Sequence, residues 1–158
     1  MHTTARHEKR VAAYLEEKRV CAFLPLLLQL NKWSDRTSKV EVPMFSCYAF
    51  VRIGQTAEER LKVLRTPGVI GFVGNERQGT PIPDEQIESL RTAVHNKIPC
   101  SPHPFVNVGN RVRIRGGSLD GVEGILVRQG PDQGLVLSVE LLHRSMSIRV
   151  EGYAVELV

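Results

Sequence analysis

The chain is poor in the residues that most often carry catalysis, metal binding or covalent stapling. Its 158 residues include only three cysteines, Cys21, Cys47 and Cys100. Three widely spaced thiols offer neither a paired disulfide framework nor a CxxC knuckle, and they fit a reducing compartment. The five histidines are scattered, in no zinc or iron spacing with Cys, Asp or Glu. A nucleophile needs an oriented base and a third group, and nothing in the sequence arranges these around Cys47, so a structural thiol is the better reading. No metal, no cofactor and no enzymatic activity are expected. Long apolar runs are lacking as well. None approaches the length of a bilayer span, and the opening MHTTARHEKR is too polar for a secretory signal. The expectation is a soluble cytoplasmic monomer with no membrane attachment.

What the chain does have is core-forming material and an uneven charge. Hydrophobic residues make up 42%, enough for one medium domain or two small ones. The formal net charge is +4, and its placement says more than its size. Residues 1–97 carry fifteen Lys and Arg against eleven Asp and Glu, whereas residues 98–158 carry six against six. A basic front half suits a polyanion such as nucleic acid, and a neutral back half a different partner; a solvated surface explains the same excess.

Periodicity divides the chain near residue 100. HEKRVAAYLEEKRV reads as a helix with Val11, Tyr14 and Leu15 on one face, and Thr4 is placed to cap it. CAFLPLLLQL follows, with Pro25 suiting a strand edge or bulge. NKWSDRTSK reads as a hairpin tip, and VEVPMF and YAFVRI as extended segments. Thr56 and Glu59 have capping-box spacing ahead of RLKVLRT, with Leu61 and Leu64 three apart and Pro67 and Gly68 as the stop. A strand VIGFV comes next, then a helix DEQIESLRTAV with Asp84 as cap and Ile87, Leu90 and Val94 in register. This order predicts a mixed α/β layer with one sheet. NKIPCSPHP, with three prolines, reads as a linker. Beyond it NRVRIR, EGILV, LVLSVELL, SMSIRV and YAVELV are five short strands in about fifty residues, the signature of a small barrel.

The stretch GGSLDGVEGILV invites a phosphate-loop reading, which its details reject. Gly124 is followed by Ile125, Leu126 and Val127 rather than Lys and Ser or Thr, and no helix opens there. Gly116 and Gly117 then supply turn conformations, while Gly121 and Gly124 permit chain reversal and close strand approach. Arg111, Arg113 and Arg115 alternate with Val112 and Ile114 and give one strand face three guanidinium groups, as a solvent face does.

These same residues resemble a known family. VGNRVRIRGGSLDGVEGILV, with Gly109, Val112, Ile114, Gly117, Leu119, Gly121 and Gly124, is similar to the KOW motif. That motif opens an SH3-like barrel in NusG-type transcription factors and in some large-subunit ribosomal proteins. By itself it permits an RNA-binding or ribosome-associated protein. The front half resembles the NusG N-terminal (NGN) domain segment by segment: RHEKRV with AFLP, then WSDRTSKVEVPMFSCYAFVRI, TPGVIGFVG and PIPDEQI. The WSDR loop is closest to the specialised UpxY-like and RfaH-like paralogues. The resemblance implies an α+β chain, with an NGN domain over residues 1–95, a linker over 96–104 and a five-stranded SH3-like KOW barrel over 105–158. It departs from the family in two places. The family's first strand usually opens with a Trp-Tyr pair, of which MHTT matches only the end, so the remainder is expected upstream or trimmed away. Ser46 and Cys47 also stand where Pro-Gly is common, so a different local backbone is expected.

The resemblance further implies a factor that rides on RNA polymerase and suppresses pausing or termination. Phe45, Tyr48 and Phe50 match the apolar face that grips the clamp helices of the polymerase's largest subunit, with Phe45 the foremost contact and Phe50 the readiest to be core. On the residues alone, alternating aromatics on a strand are core. Arg6, His7, Lys9 and Arg10, with Arg65 and Thr66, match positions that touch single-stranded non-template DNA, where a solvated helix face is the alternative. Leu141, Leu142, His143 and Arg144 match the loop that contacts a small-subunit ribosomal protein or the termination factor Rho. Of its leucines Leu142 is the docking candidate, and Leu141 is free to point into the barrel.

Overall fold

The computed structural model of the chain describes residues 1–32, 37–54, 56–74, 79–103, 109–126, 134–139, 142–150 and 153–158. The chain divides into two compact units, Met1–Thr80 and Pro81–Val158.

In the first unit, helix α1 (Glu8–Glu17) forms where expected. Val11 and Leu15 are fully buried, and Tyr14 on the same side is half-buried. Thr4 does not cap this helix. The N-cap is His7, whose N–H donates to the Thr4 carbonyl at 3.1 Å across a turn that puts Arg6 at φ 62°. The left-handed Arg6 uses up the residues between Thr4 and the helix, so the cap falls three positions later. At the other end Arg19 is left-handed (φ 58°), and Val20 N donates to the Leu15 carbonyl at 2.9 Å, a Schellman closure without glycine.

The described strands of this unit are β1 (His2–Thr3), β2 (Cys21–Phe23), β3 (Leu26–Lys32), β4 (Thr37–Pro43), β5 (Phe50–Arg52) and β6 (Val69–Gly71). The single sheet expected from sequence is instead three two-stranded ladders, β1–β6, β2–β5 and β3–β4. Prolines make the breaks: Pro25 separates β2 from β3, its carbonyl accepting from Met44 N at 2.8 Å, and Pro43 ends β4. Two ladders are joined through the approach to β5. Thr3 N donates to the Cys47 carbonyl at 2.8 Å, Ala49 N to the Met1 carbonyl at 3.2 Å, and His2 bridges Tyr48. Met1, Val11, Leu15, Val20, Ala49 and Val63 form the core between helix and strands.

Helix α2 (Ala57–Leu64) is capped as its sequence predicts: Glu59 N donates to Thr56 Oγ1 at 3.3 Å, and that hydroxyl donates to Glu59 Oε2 at 3.2 Å. Its buried residue is Val63, whereas Leu61 and Leu64 are exposed.

The second unit starts with helix α3 (Asp84–His95). Its N-cap is Pro83 rather than Asp84, which lies in the first turn as a favourable acidic residue. The inward face is Ser89, Leu90 and Ala93, with Ile87 and Val94 only half-buried. Residues 96–103 of the segment read from its prolines as a linker close the helix and form a strand. Lys97 is left-handed (φ 53°), Ile98 N donates to the Ala93 carbonyl at 3.0 Å, and β7 (Cys100–His103) follows. The five expected strands appear as β8 (Asn110–Arg115), β9 (Glu123–Leu126), β10 (Gly134–Val139), β11 (Arg144–Arg149) and β12 (Ala154–Leu157). They make one antiparallel sheet in the order β12-β8-β9-β10-β11-β7. The five-strand core of this order is present, and the described pairings leave the sheet open between β12 and β7.

Alternation along the strands explains the core. Val112 and Ile114 face in, with Leu135, Leu137, Met146 and Ile148 among the buried side chains. Helix α3 packs on β9 and β10. Ser89 Oγ accepts from Glu123 N at 3.2 Å, and Asn96 Nδ2 donates to the Ser118 carbonyl. The glycine-rich stretch is scaffold, as its spacing predicts. Gly117 is left-handed (φ +68°) under the Tyr153 ring, and a Cβ on Gly124 would lie 2.6 Å from the Val136 carbonyl oxygen.

Candidate functional sites

Of the aromatic candidates, Phe45 and Tyr48 sit on the turn between β4 and β5, and Phe50 opens β5. Tyr48 N donates to the Phe45 carbonyl at 3.2 Å, and Cys47, third in that turn, has φ 68°. This is the sign of φ that a type II turn requires at its third position, where glycine is the usual residue. The Ser46–Cys47 pair therefore keeps the backbone form that Pro-Gly would give, contrary to the altered backbone expected. The turn is held from below. Glu8, 4% exposed, accepts from Cys47 N through Oε1 at 2.8 Å. A buried carboxylate receiving a backbone N–H gives a charge-assisted bond, stronger than a neutral one.

This turn separates the three aromatics. Phe45 is 3% exposed and meets Phe50, 6% exposed, edge to face with ring centroids 6.1 Å apart. Phe23 stacks with Phe50, ring centroids 6.0 Å apart. The ring of Phe45, expected as the foremost contact, is instead spent on packing, as is that of Phe50. Tyr48 keeps accessible surface, half-buried against His2 with centroids 5.3 Å apart.

The basic candidates meet at one edge of the first unit. Thr4 N donates to the Gly68 carbonyl at 2.8 Å, which ties the start of α1 to the turn after α2. At Gly68 (φ +92°), a Cβ would lie 2.8 Å from a Val11 methyl and 3.5 Å from His7 Cβ, so the two segments touch. Arg6, Lys9, Arg10 and Arg65 are exposed and His7 is half-buried. The Arg10 guanidinium donates to the Tyr14 hydroxyl at 3.3 Å. Thr66 departs from expectation: it is 2% exposed, and its hydroxyl accepts from Lys18 Nζ at 2.8 Å while donating to the Lys62 carbonyl at 3.0 Å. It positions the turn that carries Arg65 and has no surface for a ligand.

In the second unit, Leu141 lies outside the described residues. Leu142, the docking candidate, is 7% exposed and belongs to the core, because the left-handed His143 (φ 48°) turns the chain immediately after it. His143 and Arg144 are exposed at the start of β11. The arginines of β8 act as a solvent face: Arg113 is held by Glu123, and Arg115 Nε bonds Glu156 Oε2 at 2.7 Å. The hydrogen bonds that Arg113 donates to Glu123, and then the Glu123 charge, push the pKa of the guanidinium up.

Sequence periodicity missed two buried polar anchors, Glu8 and Thr66. Glu8 was detectable, since positions 8, 11 and 15 lie on one helical face. All three cysteines are free. Burial pushes the Cys100 thiol up to about 11, which disfavours the thiolate at neutral pH. Among the described residues no group of three or more His, Cys, Asp or Glu converges on a metal position, and no helix is long and apolar enough to cross a membrane.

Residues 1–91 match the family model for NusG, described as a transcription termination factor. The transcription termination/antitermination protein NusG of Campylobacter jejuni is 25% identical over 111 residues, which cover 70% of this chain and 63% of that protein. NusG of Borreliella burgdorferi is 30% identical over 101 residues, covering 60% of this chain and 54% of that protein. The matches thus span less than two thirds of these curated relatives. Among solved structures, NusG of Thermotoga maritima superposes with a TM-score of 0.57 at 20% identity, over 95% of this chain and 90% of that one, and shares the fold.

Proposed function

This chain belongs to the NusG family, and on that premise we propose that it is a transcription elongation and antitermination factor that works by binding rather than by chemistry. Residues 1–95 act as the NGN domain on the clamp helices of the largest RNA polymerase subunit. Residues 96–104 join it to a KOW domain, residues 105–158, which functions as a closed SH3-like barrel. A factor that prefers the processive state of the polymerase lowers pausing by population shift, without speeding bond formation. The KOW domain holds a second partner, Rho or a small-subunit ribosomal protein, at raised local concentration. The cytoplasm is the compartment, and the UpxY-like and RfaH-like specialists are the nearest branch.

The observation that supports this reading most is the family match across residues 1–91. Surface exposure supports the following division of roles. Tyr48 is the aromatic contact, and Phe45 and Phe50 pack beneath it. Arg6, His7, Lys9, Arg10 and Arg65 follow the non-template strand, and Thr66 holds their turn. His143 and Arg144 meet the KOW partner together with Leu141, and Leu142 packs under them.

Titrating the labelled protein with RNA polymerase elongation complexes, and separately with free RNA, tests the reading. Binding to the complexes is expected to weaken about tenfold or more in Tyr48→Ala, as for a buried aromatic anchor. Arg6→Ala with Lys9→Ala is expected to reduce the salt dependence by about 0.7 in log–log slope for each phosphate that is no longer neutralised. Tight binding to free RNA with none to polymerase would select the ribosome-associated alternative.

A further inference from the structure

Lys18 belongs to the basic front half of the chain, yet its charge is spent inside the first unit. It follows α1 as the C-cap, and the left-handed Arg19 turns the chain directly after it. The half-buried side chain reaches the end of α2. Its ammonium donates to Thr66 Oγ1 at 2.8 Å and to the Lys62 carbonyl at 3.4 Å.

The second acceptor is one of the groups that a helix end leaves open. The last carbonyls of a helix lack intrahelical partners and carry partial negative charge, so a cation there is favourable. In α2 the Leu61 carbonyl accepts from Arg65 N at 2.9 Å, and the Val63 carbonyl from Thr66 N at 3.0 Å. The Lys62 carbonyl receives side chains instead, the Thr66 hydroxyl at 3.0 Å and the Lys18 ammonium.

The turn that carries Arg65 is thereby pinned twice. Lys18, after the end of α1, holds its start through Thr66 and Lys62. Thr4, ahead of α1, holds its far side by donating to the Gly68 carbonyl at 2.8 Å. The two pins flank the same ten-residue helix, so they fix the turn relative to the helix start that carries Arg6, Lys9 and Arg10. Arg65 and Pro67 lie exposed between them.

We propose that Lys18 is a positioning residue for nucleic-acid binding: it holds no phosphate itself, and it acts on the backbone of single-stranded DNA through Arg65, whose place beside the basic start of α1 it fixes. This rests on the reading that Arg6, His7, Lys9, Arg10 and Arg65 follow that strand. Spending the Lys18 ammonium on a phosphate would uncover a buried hydroxyl and a helix-terminal carbonyl, whereas the exposed Arg65 reaches a strand without that loss.

Salt dependence separates the two roles, because each phosphate neutralised on a single strand contributes about 0.7 to the log–log slope of affinity against salt. The full chain is titrated with a labelled single-stranded oligodeoxynucleotide at several salt concentrations, as wild type, Lys18→Met, Arg65→Ala and the double variant. Each single variant is expected to lower the slope by about 0.7, and the double variant by the same amount. A loss of about 1.4 in the double variant would mean that Lys18 neutralises a phosphate of its own, and would overturn the proposal. Thr66→Val removes an acceptor of Lys18 while keeping its charge. It is expected to lower the slope as Lys18→Met does, and to add nothing to Arg65→Ala. Amide spectra of the free variants show that they are folded and read the positioning itself: the Arg65 and Gly68 resonances are expected to move in Lys18→Met and Thr66→Val, with those of Cys47 and Tyr48 in place. Unmoved Arg65 and Gly68 resonances in Lys18→Met would also overturn the proposal. A slope lowered in Arg65→Ala but unchanged in Lys18→Met and Thr66→Val sinks the proposal alone. An unchanged slope in Arg65→Ala, or no binding of the single strand by wild type, removes the DNA role of this edge and the proposal with it.

Discussion

The two units solve the same problem, holding short strands in place, by different means. In the first, strands β1, β2, β5 and β6 run two or three residues each, too short to fix themselves by ladder alone. Their turns are pinned by side chains: Glu8 on the Cys47 amide, and Lys18 and Thr66 on the end of α2. In the second, strands of four to six residues pair across six positions in the sheet, and Gly116, Gly117 and Gly121, together with Lys97 and His143, take up left-handed conformations. The first unit places its exposed tyrosine and arginines through a few buried polar contacts. The second places its exposed groups through register. A single substitution should therefore displace functional surface in the first unit, and mainly cost stability in the second.

The largest expected effect sets the scale for the first unit. Leu15 is fully buried between α1 and the short strands, and Leu15→Ala should cost about 2–5 kcal/mol in denaturant unfolding. The comparison is sharpened by Glu8→Ala, which removes the acceptor of the Cys47 amide. A loss of about 1.5–3 kcal/mol is expected, with changed amide shifts at Cys47 and Tyr48 and weaker polymerase binding. Glu8→Gln keeps an acceptor and should retain more of both. In the second unit Gly124→Ala brings a methyl against the Val136 carbonyl, and a cost of about 1–3 kcal/mol is expected, with amide shifts centred on β9 and β10 and polymerase binding unchanged. Equal loss of polymerase binding in Gly124→Ala and Glu8→Ala would erase the contrast between the units. The smallest effect has the opposite sign. Cys47→Gly relieves a left-handed side chain and should stabilise the protein by about 0.5–1 kcal/mol in the same denaturation measurement, after the entropy cost of glycine.

Much of this architecture was legible in the sequence where a local rule acts alone. The Thr56–Glu59 cap, the five strands after residue 109 and the scaffold role of the glycines follow from spacing and turn chemistry. What was not legible depended on contacts distant in sequence. Phe45, Tyr48 and Phe50 share one aromatic run, and only the left-handed Cys47 decides that Tyr48 keeps its surface and Phe45 does not. Thr66 and Leu142 looked like surface residues beside charged neighbours, and each is buried because a turn follows it at once. The prolines of residues 96–104 signalled a linker, yet Pro102 is compatible with an edge strand, which a proline count does not reveal.

The central claim, a binding factor that acts on RNA polymerase through the first unit, is tested most directly at a transcriptional pause. Purified polymerase is halted at a defined pause, and RNA extension is followed with no factor, with the wild-type chain, and with Tyr48→Ala and Cys47→Ser. The account predicts a shorter pause with wild type, loss of that effect in Tyr48→Ala, and retention in Cys47→Ser. An unchanged pause in the presence of wild type would contradict it, and loss of effect in Cys47→Ser alone would point to thiol chemistry instead.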